Sequence, residues 1–242
     1  MDLSEKIEEL TRKEHYTFSD LLDIVAVLRS EQGCPWDREQ DHGDIRTCLI
    51  EETYEVAEAI DNADAVLLRE ELGDLLFQVV FHAQIEDEKG VFCMGDVIDG
   101  IAKKMVHRHP HVFGAVQVAN SGEVLQNWEA IKTLEKQRNT LEEKLKAIPP
   151  MMPALMRAAK VEKKLQKGEE NTPEVQLAAL RAQLDRLETA MGQADVSEQM
   201  GDVLLGVTAL SRSLGLDAEH TLMQATDRLI EKAVREADKT EK

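Results

Sequence analysis

Apolar residues recur every three or four positions along most of the chain, which is the spacing of helices that bury one face. Alternation of apolar and polar residues, the mark of half-buried strands, is scarce. The pattern therefore predicts an all-α fold. The predicted helices lie near residues 18–31, 44–61, 64–88, 95–108, 121–146, 152–167, 174–191, 195–214 and 217–239.

A proline-rich segment divides this helical pattern. Pro149, Pro150 and Pro153 stop one helical region before the next begins, because proline cannot continue a helix interior. A weak repeat also relates the two sides, since 71–76 (ELGDLL) resembles 199–204 (QMGDVL). We therefore expect two tandem helical-bundle domains, 1–148 and 149–242.

Two pairs of acidic residues lie on consecutive predicted helices. Glu52 and Glu55 belong to one helix, and Glu71 and Asp74 to the next. Residues three apart are neighbours on a helix surface, where like charges repel each other. Ordinary solvated faces would explain such pairs in a chain with 47 Asp and Glu residues. A bound cation would explain them equally well.

The second of these helices favours the cation. Apolar residues cover most of the circumference of 64–88, and its main polar stripe consists of Glu71, Asp74, Gln78 and His82. A helix of this kind belongs in an interior, where unneutralised carboxylates are costly. Four carboxylates around one point suit a hard cation, Mg²⁺ or Mn²⁺, better than zinc. His82 would hydrogen-bond a ligand carboxylate or be a satisfied core histidine.

The charge and composition of the chain limit the kinds of molecule that it is expected to bind. The net charge of −18 disfavours binding to a nucleic-acid polymer. No stretch approaches the roughly twenty apolar residues of a membrane span, and the polar N-terminus has no signal-peptide pattern. Three cysteines suit a reducing compartment, so a cytoplasmic protein is expected.

Four blocks in fixed order carry a family resemblance: 33–40 (GCPWDREQ), 51–55 (EETYE), 70–78 (EELGDLLFQ) and 108–113 (RHPHVF). Together they resemble the MazG-type nucleoside triphosphate pyrophosphohydrolases of the all-α NTP pyrophosphatase superfamily. The detailed match covers about residues 18–135 and continues more weakly into the second half.

With a nucleotide as the expected substrate, three residues are candidates for binding it. Trp36 would stack on a nucleotide base and Trp128 would border the pocket, or each would simply pack against its neighbours. Lys132 follows Trp128 by one helical turn and would reach a phosphate or remain solvated.

The resemblance implies a four-helix bundle completed by dimerisation and a house-cleaning role in nucleotide metabolism. It implies that NTPs or dNTPs are hydrolysed to the monophosphate and pyrophosphate by a Mg²⁺-activated water. The metal-binding and catalytic residues it implies are Glu52, Glu55, Glu71 and Asp74, and the phosphate-binding residues are Lys104 and Arg108. Glu51 and Glu55 are both candidates to orient or deprotonate the water. A P-loop mechanism is excluded because the chain has no GxxxxGK[ST] segment.

The second half departs from this pattern. Gln183, Arg186 and Gln199 stand where ligand glutamates are expected, and only Asp202 is kept. In this family activity can reside in the C-terminal copy, but here that half is interpreted as a degenerate copy retained for packing or dimerisation.

Two other functions compete with the hydrolase. A non-catalytic nucleotide-binding or regulatory protein that keeps the fold is the alternative. A di-iron bundle is disfavoured because neither Glu52 nor Glu71 has the histidine partner three residues later that such bundles use.

Overall fold

A computed structural model of the protein describes residues 3–135, 140–165 and 172–240. This part of the chain consists of α-helices joined by short turns and contains no strand, which confirms the predicted all-α class. The helices are α1 (Leu3–Arg12), α2 (Phe18–Arg29), α3 (Pro35–Glu39), α4 (Arg46–Asp61), α5 (Ala65–Glu88), α6 (Met94–Arg108), α7 (Pro110–Phe113), α8 (Ser121–Glu135), α9 (Leu141–Lys146), α10 (Ala154–Leu165), α11 (Pro173–Ala190), α12 (Val196–Ser213) and α13 (Ala218–Thr240).

Each predicted helix overlaps at least one observed helix, with two kinds of difference. The predicted helix 121–146 corresponds to α8 and α9, and its residues 136–139 lie outside the described part, as do 166–167 of the helix predicted at 152–167. Pro35 and Pro110, which lie outside the predicted helices, each begin a short helix. Proline suits the first helical position, because it needs no hydrogen-bond donor there and its φ is already helical.

The chain forms two compact units, Met1–Trp128 and Glu129–Lys242. The division falls within α8, ahead of the expected boundary at 148, and a tandem pair of related domains stays a prediction. In the first unit α5 packs against α2, α4 and α6. In the second, α12 packs against α10, α11 and α13. No helix of the described residues is both long and apolar enough to cross a bilayer.

The core of the first unit lies where α2 and α5 meet. Its buried side chains are Val25, Ile45, Val80, Phe81 and Ile85. Removing such side chains from water is the main favourable contribution to folding. The core therefore holds the middle and C-terminal part of α5 in place.

A tight turn joins α4 to α5 and sets the register between them. Asp64 caps α5, accepting hydrogen bonds from the backbone N–H groups of Val66 (2.9 Å) and Leu67 (3.0 Å). Such a cap satisfies donors that have no partner within the helix. The preceding residue, Ala63, has a positive φ of 53° and reverses the chain. The turn thereby fixes where α5 begins, and so which residues face α4.

The expectation that α5 is interior on nearly all sides is met only in part. Val80, Phe81, Ala83 and Ile85 are buried, as expected. Leu72, Leu76 and Val79 remain 48%, 38% and 36% exposed in the single chain. The reason is that the described helices of the first unit cover one side of α5 and leave these residues open.

Arg29, at the end of α2, joins three elements. Its Nε and Nη2 atoms donate to the two carboxylate oxygens of Glu88 at 2.8 and 2.9 Å. Its Nη1 donates to the carbonyls of Asp37 (2.6 Å) and Gln40 (3.0 Å), and its guanidinium lies 5.0 Å from the centre of the Phe81 ring. This buried side chain therefore ties the end of α2 and the α3 segment to the C-terminal end of α5.

Gly33 allows the chain to turn from α2 into α3. A Cβ atom at this position would lie 2.1 Å from the carbonyl oxygen of Val27 and 2.3 Å from that of Leu28. Both contacts are with backbone, which cannot move aside as a flexible side chain would. Glycine is therefore required here for close backbone approach, and it sets the position of Trp36 on α3.

Candidate metal centre

The α4–α5 hairpin brings three of the four predicted ligands together. Glu52, Glu55 and Glu71 each offer a carboxylate oxygen, and these oxygens lie within 4.8 Å of one another. Glu52 and Glu55 share a face of α4 because they are three residues apart. Asp74 is not part of this group, but its charge acts on the carboxyls of both Glu52 and Glu71, which places it nearby. We call Glu52, Glu55 and Glu71 the acidic cluster.

The carboxyl groups of this cluster destabilise one another when all are charged. Burial is the largest cause that raises the pKa of Glu71, followed by the charge of Glu55. Burial also raises the pKa of Glu52 most, followed by the charges of Glu55 and Asp74. Glu71 is only 9% exposed. Within the described part of the chain, no lysine or arginine forms an ion pair with any of these residues. The cluster therefore lacks a positive partner from the protein itself.

The donor atoms suit a hard divalent cation. All are carboxylate oxygens, which Mg²⁺ and Mn²⁺ prefer, and no cysteine or histidine belongs to the group. A divalent cation would relieve the repulsion that raises the pKa of Glu52 and Glu71. One rigid hairpin holds the donors, so binding would require little rearrangement.

His82, on the polar stripe of α5, matches neither of its two expected roles in full, because its buried Nε2 atom has no hydrogen-bond partner among the described residues. Its Nδ1 lies 2.8 Å from Nδ1 of His42, and the two rings stack with centroids 5.0 Å apart. The Nε2 atom of His42 lies 2.7 Å from Glu86 on α5. His82 therefore contacts another histidine rather than a carboxylate of the acidic cluster. His42 was not among the predicted residues, because nothing local in the sequence connects it with residues forty positions later.

The basic candidates lie on α6. Arg108 is buried at the end of the helix, with its guanidinium 5.5 Å from the centre of the Trp128 ring. Lys104, one turn earlier, is exposed. Trp128 therefore packs against a predicted phosphate-binding residue, while Trp36 on α3 is 61% exposed and is not a core residue. Lys132 belongs to the second unit, where it lines a cavity with other lysines.

Comparison with known proteins identifies the family. A family model described as the MazG nucleotide pyrophosphohydrolase domain matches residues 40–113. The chain is 42% identical over 234 residues to a nucleoside triphosphate pyrophosphohydrolase of Escherichia coli K12, covering 90% of this chain and 86% of that protein. It is 39% identical over 217 residues to a nucleoside triphosphate pyrophosphohydrolase/pyrophosphatase MazG of Thermotoga maritima, covering 89% and 83%. The chain belongs to the MazG family.

A third relative matches a shorter stretch. A nucleoside triphosphate pyrophosphohydrolase of Mycobacterium tuberculosis is 37% identical over 151 residues, or 61% of this chain and 45% of that protein. The predicted resemblance to MazG, and with it the enzyme class, is thus confirmed. The matched MazG domain contains the acidic cluster, Asp74, Lys104 and Arg108, while Trp36, Trp128 and Lys132 lie outside it. The individual roles of all these residues stay predictions.

The second unit has a helix pair of its own, α11 and α12, but a different set of side chains. The Oε1 atoms of Gln183 and Gln199 are buried and find no hydrogen-bond partner. Among residues 140–165 and 172–240, no group of three metal-binding side chains comes together as in the MazG domain of the first unit. Neutral amides cannot supply the charge that glutamates would. The interpretation as a degenerate copy stays a prediction.

Proposed function

We propose that the protein hydrolyses nucleoside triphosphates to the monophosphate and pyrophosphate, with Mg²⁺ held by Glu52, Glu55, Glu71 and Asp74. Mn²⁺ would substitute for Mg²⁺. The observation that supports this most is the buried carboxyl of Glu71, placed against two other glutamates without a positive partner from the described chain. A protein with no ligand for this cluster would gain nothing from burying it.

The reaction breaks the bond between the α-phosphorus and the oxygen that bridges it to the β-phosphorus. When bound, the metal ion would lower the pKa of a water molecule and neutralise charge on the phosphate oxygens. Glu55 is exposed and belongs to the acidic cluster, so it can reach solvent and accept the proton of the attacking water. Glu51, exposed on the same helix, is the second candidate for this role.

Substrate contacts complete the proposal. Lys104 and Arg108 would bind phosphate oxygens, as ammonium and guanidinium groups do. Arg108 is already positioned by the Trp128 ring, and Trp36 presents an exposed aromatic face on which a base can stack. The reaction would take place in the cytoplasm, where the three free cysteines stay reduced, and the acidic chain would not bind a nucleic-acid polymer.

The activity itself is tested with the purified protein, Mg²⁺ and each NTP and dNTP in turn. We expect equal amounts of pyrophosphate and nucleoside monophosphate. No product should form in EDTA, because the carboxylates alone cannot neutralise the triphosphate, and adding Mn²⁺ should restore the activity. Glu52→Gln and Asp74→Asn should lose the activity, whereas Glu58→Gln, an exposed change of equal charge on α4, should keep it.

Two results would contradict the proposal. Release of orthophosphate and a nucleoside diphosphate would show cleavage at the wrong bond. A folded protein that binds Mg²⁺ but releases nothing from any nucleotide would favour the alternative, a regulatory protein that keeps the MazG fold.

We also propose that the protein is a homodimer in which a second copy completes the helical bundle. The support is the exposed apolar side of α5, formed by Leu72, Leu76 and Val79 beside the metal-binding residues. Sedimentation velocity should give about twice the chain mass of 27.2 kDa, and Leu76→Glu should shift the protein toward monomer, since a charge on this side would be buried by association. A monomeric wild-type protein at micromolar concentration would refute this.

A further inference from the structure

A lysine-rich cavity of about 400 Å³ lies within the second unit. Side chains from α8, α9 and α10 surround it, and the buried residue Ile148 contributes to an apolar part of its wall. Its charged lining consists of one glutamate, Glu129, and five lysines: Lys132, Lys144, Lys160, Lys163 and Lys164. We call this the lysine cavity.

The charge of this cavity is opposite to that of the protein. The chain carries 47 acidic and 29 basic residues, for a net charge of −18. Several lysines elsewhere, such as Lys103 and Lys146, form ion pairs with carboxylates one turn away. Within the described residues, Lys144, Lys160, Lys163 and Lys164 have no such partner. Positive charge is therefore concentrated at one concave place, where four of the five lining lysines form no ion pair within the described residues.

The ammonium groups that line the cavity repel one another. A multivalent anion bound between them would replace this repulsion with attraction. The lysines come from three helices, so they surround the cavity rather than form a single row. A cavity of this size falls within the range of small-molecule sites. Ammonium groups bind phosphate oxygens as compact point charges, and several of them suit several linked phosphates better than one carboxylate.

We propose that the lysine cavity binds a polyphosphate chain, either that of a nucleoside polyphosphate or an inorganic one. Occupancy would place two or more linked phosphates among the lysines of α9 and α10, with Lys132 on the α8 side. The site uses none of the carboxylates of the acidic cluster and does not depend on the proposed hydrolysis.

Calorimetric titration of the full chain in EDTA disfavours binding at the metal centre. Without a divalent cation the acidic cluster repels polyphosphates, and the variants below separate binding in the lysine cavity from binding at Lys104 and Arg108. The titrants are sodium tripolyphosphate, pyrophosphate, ATP and AMP. We expect tripolyphosphate to bind, AMP not to bind measurably, and affinity to fall as salt is raised, because exposed charges are screened.

A matched pair of double variants assigns the binding to the cavity. Lys160→Gln with Lys164→Gln removes two lining charges and should weaken tripolyphosphate binding about tenfold. Lys146→Gln with Lys232→Gln removes two ion-paired lysines that do not line the cavity and should leave the affinity unchanged. All four side chains are exposed, so the fold should survive in both, and circular dichroism checks this.

The order of affinities distinguishes the two possible sources of the ligand, and other outcomes decide whether the cavity binds polyphosphate at all. Tighter binding of ATP than of tripolyphosphate would identify a nucleotide as the occupant, and the reverse order an inorganic chain; both support the site. No heat from any polyphosphate, equal weakening in both double variants, or AMP binding as tight as tripolyphosphate would overturn it. Loss of hydrolysis with this binding intact would refute only the proposed function.

Discussion

Replacing Glu71 with glutamine is expected to abolish pyrophosphate release and, at the same time, to raise the melting temperature of the metal-free protein. Changes around a metal ligand commonly weaken metal binding or activity ten- to a hundredfold, so loss of a ligand should cost at least about 100-fold. Glutamine keeps the shape of the side chain but carries no charge. It therefore removes the repulsion and the burial of charge that raise the pKa of Glu71.

The pH dependence of this stability has a definite sign. Because the pKa of Glu71 is raised, the folded protein holds the proton to a higher pH than the unfolded chain does. In the metal-free protein, the contribution of Glu71 to stability should consequently be fully present below the ordinary glutamate pKa and be lost as the pH rises through the raised value. In Glu71→Gln, this loss of stability with rising pH should be smaller. In the wild type, Mg²⁺ should counteract the same loss at neutral pH, where the carboxylates are charged.

Thermal melting between pH 4 and pH 8, with and without Mg²⁺, measures both effects. The wild type should show a Mg²⁺-dependent rise in melting temperature at neutral pH that disappears in Glu71→Gln. Glu58→Gln, an exposed change of the same charge on α4, should behave as the wild type. A variant that melts below the metal-free wild type, or one that retains full activity, would contradict the role given to the acidic cluster.

Loss of Arg29 should be the most damaging change to the first unit. Arg29→Met keeps much of the side-chain volume but removes both donors of the Glu88 ion pair and the guanidinium contacts to the carbonyls of Asp37 and Gln40. Among the described residues, Glu88 then keeps only the Gln84 amide as a side-chain donor. Removing one partner of a buried ion pair typically costs about 3–5 kcal/mol. The Glu88 carboxylate is partly open to solvent, so we expect about 3 kcal/mol, at the lower end of this range.

Urea unfolding followed by tryptophan fluorescence would measure this loss. A double-mutant cycle with Glu88→Gln separates the ion pair from the carbonyl contacts, because the second change removes only the carboxylate charge. Lys103→Met breaks an exposed pair with Asp99 and should cost less than about 1 kcal/mol. A loss for Arg29→Met no greater than that of Lys103→Met would show that Arg29 does not hold these elements together.

The sequence predicted the acidic cluster because its geometry is local. Spacing of three residues pairs Glu52 with Glu55, and a short connection between two helices brings Glu71 beside them. Both rules follow from helix geometry alone. Asp74 follows the same rule on α5, yet it lies outside the set of closest oxygens. Side-chain direction decides such details, and periodicity does not specify it.

Features that depend on distant parts of the chain were not predictable in this way. The contact of His42 with His82, the bonds of Arg29 to Glu88 and the lysine cavity join residues whose separation follows no helical period. The exposed side of α5 escaped prediction for another reason. Apolar periodicity shows that a surface will be covered, but not whether the same chain covers it.

The length of α5 gives the Arg29 contacts a wider meaning. Glu71 and Glu88 lie on one uninterrupted helix, about 25 Å apart at its regular rise per residue. Arg29 holds the far end of that helix and, through the carbonyls of Asp37 and Gln40, the segment that carries Trp36. A substitution there would tilt the metal-binding end and move the exposed tryptophan together. Substitutions among these contacts should therefore reduce activity as active-site substitutions do, although none of the residues that form the contacts takes part in the reaction.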